Sequence, residues 1–340
     1  MSNSLKLFIA VLVLSSFGLA QDQAQQAAAL GSGRLQSHSA SNADGARPRL
    51  ALEDLFAHRN SRNPTLPPAS AAPDAVAQGN AKAKVYTFST ADYPGGSFSE
   101  LFDTNSGTSV GAFEFGPTPG LTAFTVKNDL YQILTVTGSV SSTATAITTA
   151  GVIGLTYTDL SGVTHGAIDD AGTFTTVDVP GADSTEILDM NDAGVIVGDF
   201  YDSTFLGYVD NGGTFTTLDF PGAVASYATG INSGGDIVGY WFDGTTSHGF
   251  LLSGGVFTSL DFPLLAIATE AWGINDSGEI SGCYQDASNT DHGFIYSKGA
   301  WNSVDLGGAS GTQLTRIKNN GNVTGQFNDI YGEGHGIRGH

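Results

Sequence analysis

One feature governs what this chain can fold into: an internal repeat of about 43 residues. Its marker is an aromatic residue, a short β-branched stretch, an acidic or polar residue, and then Pro-Gly or a relative of it. Phe174-Thr175-Thr176-Val177-Asp178-Val179-Pro180-Gly181 is one copy, and Phe215 to Gly222 is the next. Phe257 to Pro263 and Trp301 to Gly308 follow. Upstream, Phe88 to Gly95 keeps Asp92, Pro94 and Gly95, and a worn copy, Tyr131 to Gly138, keeps the aromatic and the Gly. The marker aromatics stand at 88, 131, 174, 215, 257 and 301. Each copy must therefore be one supersecondary unit that buries its faces against its neighbours.

Two further signatures recur inside most copies. Gly230 to Gly239 (Gly-Ile-Asn-Ser-Gly-Gly-Asp-Ile-Val-Gly) matches Gly273 to Gly282, Met190 to Gly198 is the same device, and Ile317 to Gly325 is a looser copy with Lys318 where Asn stood. His-Gly recurs at His165-Gly166, His248-Gly249-Phe250, His292-Gly293-Phe294 and His335-Gly336-Ile337, with Phe205-Leu206-Gly207 filling that slot without a His. Residues 215–255 read as four short strands separated by Pro-Gly, Asn-Ser-Gly-Gly and Ser-Gly-Gly. Ile237 to Phe242 is apolar on both faces, so it needs cover on each side. Helical periodicity is absent. Four antiparallel strands per unit of this length predict an all-β, six-bladed β-propeller.

The ends of the repeat predict how the ring closes. After Trp301 the next marker would fall beyond His340, so the last unit lacks a strand, and Lys84 to Asp92 is that same strand standing alone at the start. Pairing it with residues around His335 to Arg338 closes six blades without leaving sheet edges. The domain is thus 85–340. Residues 1–20 read as an export signal, with Lys6, the apolar run Leu7 to Leu14 and small residues before Gln21. Residues 21–84 read as a disordered Ala-, Ser- and Pro-rich linker with a short helix around Leu50 to Ala57. No other segment has the length to span a bilayer. A secreted or cell-envelope location follows, with no membrane span once the signal is removed.

The net charge of −20 is uneven: residues 1–84 hold 8 basic and 5 acidic residues, leaving 5 basic and 28 acidic in the repeat region. Such a surface repels phosphate backbones, so nucleic-acid binding is excluded. A single Cys rules out a disulfide framework and any Cys-based zinc site; Cys283 is expected as a small buried residue.

The segments Gly230 to Gly239, His248-Gly249-Phe250 and Phe215 to Gly222 resemble the extracellular HAF-repeat family, named for a His-Ala/Gly-Phe motif. The resemblance spans roughly 85–340 and is strongest at 174–300. It implies an exported bacterial repeat protein, and it brings no catalytic residues with it.

Residues that recur in every blade are read as structural, because catalysis needs one site. The His-Gly pairs are expected to brace a strand start against a turn. The Asp residues of the marker (Asp92, Asp178, Asp219, Asp261, Asp305) are expected to accept backbone N–H bonds at strand ends. The Asn-Asp-x-Gly turns lack the spacing of a calcium loop and read as hairpins. No Gly-x-Ser-x-Gly, His-Glu-x-x-His, Walker or dinucleotide motif is present. Candidate ligand-binding residues are sought where the repeat breaks and on one face of longer, acidic loops: Asp199, Asp202, Trp241, Asp243, Glu270, Trp272, Asp286, Arg316, Lys318 and Asp329. No catalytic or metal residue is assigned, and no cofactor is expected beyond weak calcium binding by clustered carboxylates. The function expected is a non-enzymatic, monomeric binding or scaffold module for an extracellular glycan or protein. The alternative is a polysaccharide hydrolase or lyase with its site in the central pocket, an argument from fold analogy.

Overall fold

Each repeat folds as its turns dictate, into four short antiparallel strands. The computed structural model describes residues 86–115, 120–263 and 266–340. The expected signal and linker lie outside the described residues. Strand β1 (Phe88–Thr90) comes first. Blade 1 follows with β2 (Phe98–Asn105), β3 (Thr108–Glu114), β4 (Leu121–Lys127) and β5 (Leu130–Ile133). Blade 2 is β6 (Ser139–Ile147), β7 (Ile153–Asp159), β8 (Thr164–Asp170) and β9 (Thr173–Val177). Blade 3 is β10 (Ser184–Met190), β11 (Val195–Asp202), β12 (Thr204–Asn211) and β13 (Thr214–Leu218). Blade 4 is β14 (Ala225–Ile231), β15 (Ile237–Phe242), β16 (Ser247–Ser253) and β17 (Val256–Leu260). Blade 5 is β18 (Ala266–Ile274), β19 (Ile280–Asp286), β20 (Asp291–Ser297) and β21 (Ala300–Val304). Blade 6 is β22 (Gly311–Ile317), β23 (Val323–Asn328), β24 (Gly334–Gly339) and, on its outer edge, β1. No helix occurs among the described residues, so none there is long and apolar enough to cross a membrane.

The expected closure is present. Phe88, Ser89 and Thr90 pair with Gly339, Arg338 and Ile337, and Ala91 N donates to Gly336 O at 2.9 Å. The ring thus joins its ends by a sheet edge, as the missing strand of the last unit required. The aromatic marker opens the outer strand of each blade. Phe215 to Phe220 therefore finishes blade 3 instead of starting blade 4.

Local chemistry explains the hairpins. The β12–β13 turn uses Gly212 and Gly213 at φ of 62° and 86°, the left-handed pair whose twist matches the flanking strands. The core lies between blades, where facing sheets meet. Val238 and Leu260 of blade 4 pack on Ala271, Ile274, Ile280 and Phe294 of blade 5. Burying Phe294 completely stabilises the fold by about 2–3 kcal/mol. The Gly after His is fixed by close approach in blades 2, 4 and 5, since a Cβ at Gly166, Gly249 or Gly293 would lie 2.6 Å from the Val177, Leu260 or Val304 carbonyl oxygen. Cys283 is buried and free, as expected.

Every inner strand also carries a bulge at one repeat position, between Leu101/Asp103, Ala144/Ala146, Ile187/Asp189, Ala228/Gly230, Ala271/Gly273 and Leu314/Arg316. That bulge sets up the axis.

Candidate functional site

The extra residue in each bulge is Phe102, Thr145, Leu188, Thr229, Trp272 or Thr315. Five of their carbonyl oxygens come within reach of one guanidinium. Arg316 Nη1 donates to Thr229 O at 3.0 Å, Trp272 O at 2.7 Å and Thr315 O at 3.0 Å. Its Nη2 donates to Thr145 O at 3.4 Å and to Leu188 O. Blades 2 to 6 therefore meet on a single side chain at the axis. Arg316 fits because Ala146, Gly230 and Gly273 hold the matching position in blades 2, 4 and 5. A Cβ at Gly273 would sit 2.8 Å from Arg316 Cα.

A buried cation needs compensation, and two carboxylates share its repeat position. Asp189 Oδ1 lies 3.2 Å from Arg316 Nη2 and accepts Met190 N–H at 2.9 Å, while its Oδ2 accepts Ile231 N–H at 2.9 Å. Asp103 Oδ1 takes Lys318 Nζ at 2.5 Å and Thr104 N–H at 2.7 Å, and its Oδ2 accepts Ile147 N–H at 2.9 Å. Residues confined to single blades thus converge at the axis, and every oxygen of both carboxylates is engaged. Arg316 Nε is buried without a hydrogen-bond partner.

Over this floor opens a cavity of about 390 Å³, walled by the turns between first and second strands. Its rim is an amide relay. Asn191 Nδ2 donates to Asn232 O at 3.2 Å, Asn232 Nδ2 to Asn275 O at 3.4 Å, and Asn275 Nδ2 to Lys318 O at 3.2 Å. Each of these Asn also caps its own turn; Asn191 Oδ1 accepts Ala193 and Val195 N–H, both at 3.1 Å. Ile147, Ile231 and Ile274 supply apolar wall between the amides.

A different group of carboxyls stands at the place just before the bulge on alternate inner strands: Glu100 in β2, Glu186 in β10 and Glu270 in β18. Burial alone pushes the Glu186 carboxyl up to about 7 and is the main cause lifting Glu270 to about 8; Glu100 rises well above the usual range for the same reason. Asp199, directly opposite Glu186 in the β10–β11 register, is raised by burial and then by that neighbour's charge. Neither oxygen of Glu100 or Glu270 has a hydrogen-bond partner. Trp272 and Ser247 face Glu270 without closing a bond of ordinary geometry.

The acidic loop face is built from His staples. His165, His248, His292 and His335 each direct Nδ1 to the marker Asp of the outer strand, Asp178, Asp261, Asp305 and Asp92, at 2.9, 2.8, 3.1 and 3.0 Å. Nε2 faces the first Asp of the loop after the second strand. The two repeat motifs are therefore partners. This corrects the expectation that the marker Asp accepts backbone N–H: those four carboxylates accept the imidazole instead, which reaches them because it stands at the start of the adjacent third strand. In blade 3, where Phe205 replaces His, Asp219 accepts Ser226 Oγ–H at 3.3 Å.

The sequence-predicted residues separate accordingly. Asp202, Asp243, Asp286 and Asp329 lie at the loop face. Asp243 Oδ1 accepts its own loop amides from Thr245 at 2.6 Å and Thr246 at 2.9 Å, which together with the Thr245 hydroxyl and His248 hold its carboxyl down at about 2 against a burial contribution acting the other way. Trp241 is not a free platform: its ring lies between Phe220, 4.4 Å away and 5° from parallel, and His248 at 4.6 Å. Asp199, Glu270 and Trp272 are buried strand residues, not loop residues. Arg316 is the axial floor, and Lys318 belongs to the opposite mouth. Sequence reasoning missed Asp103 and Asp189. The signal was available, because they occupy the repeat column of Arg316, where other blades carry Ala or Gly.

No family model matches the chain, and no curated protein matches it. Among solved structures, TolB from Acinetobacter baumannii aligns at 12% identity over 69% of this chain, with a TM-score of 0.49; the chain spans 64% of that protein's length. The AofleA protein of Arthrobotrys oligospora aligns at 11% identity over 74% of this chain and 86% of its own, with a TM-score of 0.49. A fungal lectin from Aleuria aurantia, described as a six-bladed β-propeller with a fucose recognition mode, aligns at 13% identity over 72% and 93%, with a TM-score of 0.48.

Proposed function

We propose that this chain is an exported, HAF-repeat-type binding propeller, non-enzymatic, whose ligand is a neutral extracellular glycan seated in the axial mouth. One observation carries the reading: the residues that break the repeat, Asp103, Asp189, Arg316 and Lys318, meet at the axis beneath the cavity. Their charges balance, so the floor favours no ion. The rim of amides and isoleucines offers the mixture of hydrogen bonds and apolar contact that a sugar ring needs. The hydrolase or lyase reading has one point in its favour, two single-blade carboxylates near the axis. Acid–base work needs a carboxyl free to take or give a proton, and the oxygens of Asp103 and Asp189 are committed to backbone amides and cations. The binding reading is therefore preferred.

Glycan-array binding with the full chain tests it. A Thr149→Trp variant fills the mouth and should abolish binding. An Asp202→Asn/Asp243→Asn variant, altered on the acidic loop face, should bind as before. Loss of binding in the second variant alone would move the site to the loop face, and release of reducing ends or unsaturated products would restore the enzyme reading.

A further inference from the structure

The loop joining β23 to β24 holds the staple of the closing blade, with one addition. In each stapled blade the loop Asp accepts an amide from a fixed position: Val163 N to Asp159, Thr246 N to Asp243, Thr290 N to Asp286 and Glu333 N to Asp329. Only the last of these places a carboxylate there. Asp329, Glu333 and His335 each bring a ligand-type atom within 4.8 Å of the other two. His335 Nε2 lies 3.9 Å from Asp329 Oδ2, against 3.7, 3.5 and 3.4 Å for the matching pairs in blades 2, 4 and 5. That nitrogen is itself buried and has no hydrogen-bond partner.

The tautomer follows from Asp92. A carboxylate 3.0 Å from Nδ1 only accepts, so Nδ1 carries a proton, and in the neutral imidazole it is Nε2 that presents its lone pair to the two acidic side chains. Two carboxylates beside that nitrogen call for a cation, either a proton on Nε2 or a metal ion that takes the proton's place. The donor set of one imidazole and two carboxylates, with an outer carboxylate fixing the imidazole, is that of a borderline divalent transition metal. Calcium, which takes oxygen ligands, fits it less well. We propose that Asp329, Glu333 and His335 bind a divalent transition ion of the zinc or manganese type, with Asp92 as the orienting partner of His335. Three protein ligands leave the remaining positions to water. Asp92 follows the N-terminal strand and the ligands belong to the last blade, so the metal favours the closed ring.

Titration calorimetry of the untagged full chain with zinc chloride and manganese chloride tests this, alongside thermal unfolding with and without each metal. Wild type should bind one ion per chain and melt at a higher temperature when loaded. Glu333→Gln should weaken binding by about tenfold or more and remove the thermal shift while leaving the metal-free melting temperature in place. Thr290→Glu should build the same set in blade 5 and raise the stoichiometry to two. Absence of binding by wild type, or equal binding by wild type and Glu333→Gln, would overturn the site. A stoichiometry that stays at one in Thr290→Glu would overturn Glu333 as the residue that turns a staple into a metal site.

Discussion

Arg316 and the buried glutamates show two opposite ways of placing an ionisable residue inside a propeller. Arg316 keeps its charge because the bulges supply five carbonyls and Asp189 supplies the counter-charge. Arg316→Met should therefore cost about 3–5 kcal/mol in urea unfolding, since Asp189 is left buried and unpaired, and Arg316→Met/Asp189→Asn should recover much of it. Glu186 and Glu270 instead hold their protons further up the pH scale, because burial penalises the charged carboxylate. A carboxyl whose folded pKa is raised stabilises the fold fully below the ordinary glutamate range, and that contribution is lost as pH climbs through about 7 for Glu186 and about 8 for Glu270. His292 is raised chiefly by its hydrogen bond to Asp305, so its contribution is also present below the ordinary histidine range and lost on going alkaline. Asp243, held down at about 2, contributes above the ordinary aspartate range and is lost in acid. The melting temperature should therefore peak near about pH 5 and fall towards pH 9. Glu270→Gln should flatten the alkaline side. A wild-type melting temperature as high at pH 9 as at pH 5 would contradict this account.

Within a blade, the His–Asp staple ties the start of the third strand to the end of the fourth. His292 and Asp305 are each about a quarter exposed, so water screens the pair. A double-mutant cycle on His292→Ala and Asp305→Ala should give a coupling of about 1 kcal/mol at pH 6, shrinking as pH rises through the raised imidazole pKa. Strands, turns and their order were legible in the sequence because period, β-branching and Gly placement act locally. The staple was half legible: His and Asp each recurred, but they are 13 residues apart, and only the pairing of third and fourth strands brings them together. The axis was least legible. Arg316 and Lys318 stood out as breaks in the repeat, yet the partners of Arg316 are mostly backbone carbonyls, which carry no residue signature. The bulges that aim those carbonyls are not written in any side chain. Trp241 and Trp272 were misplaced for a related reason: an aromatic residue in a strand looks the same whether its ring meets solvent or the next blade.

At the scale of the whole molecule, stability depends on closing a ring whose neighbours contact one another blade by blade. Blades 1 to 5 take all four strands from one stretch of chain, and blade 6 takes its fourth from the other end. Removing residues 85–92 takes away β1 and also Asp92, the partner of His335. The edge of β24 is then exposed, and with it Ile337 and its buried neighbours Leu314 and Val323. The loss is not confined to blade 6, because Thr315 of that blade donates to Leu101 O and Phe102 O of blade 1 at 2.9 and 3.0 Å, and Arg316 gathers carbonyls from the other four. A loosened last blade therefore weakens the axis that holds the ring. Deleting 85–92 should lower the melting temperature by about 10 °C or more, given that 1 kcal/mol is worth roughly 2–4 °C in a domain of this size. Deleting 21–80 should leave it unchanged, since those residues precede the closing strand. Differential scanning calorimetry of the two truncations and the full chain decides the matter, and equal melting temperatures for both truncations would mean that the ring does not depend on its N-terminal strand.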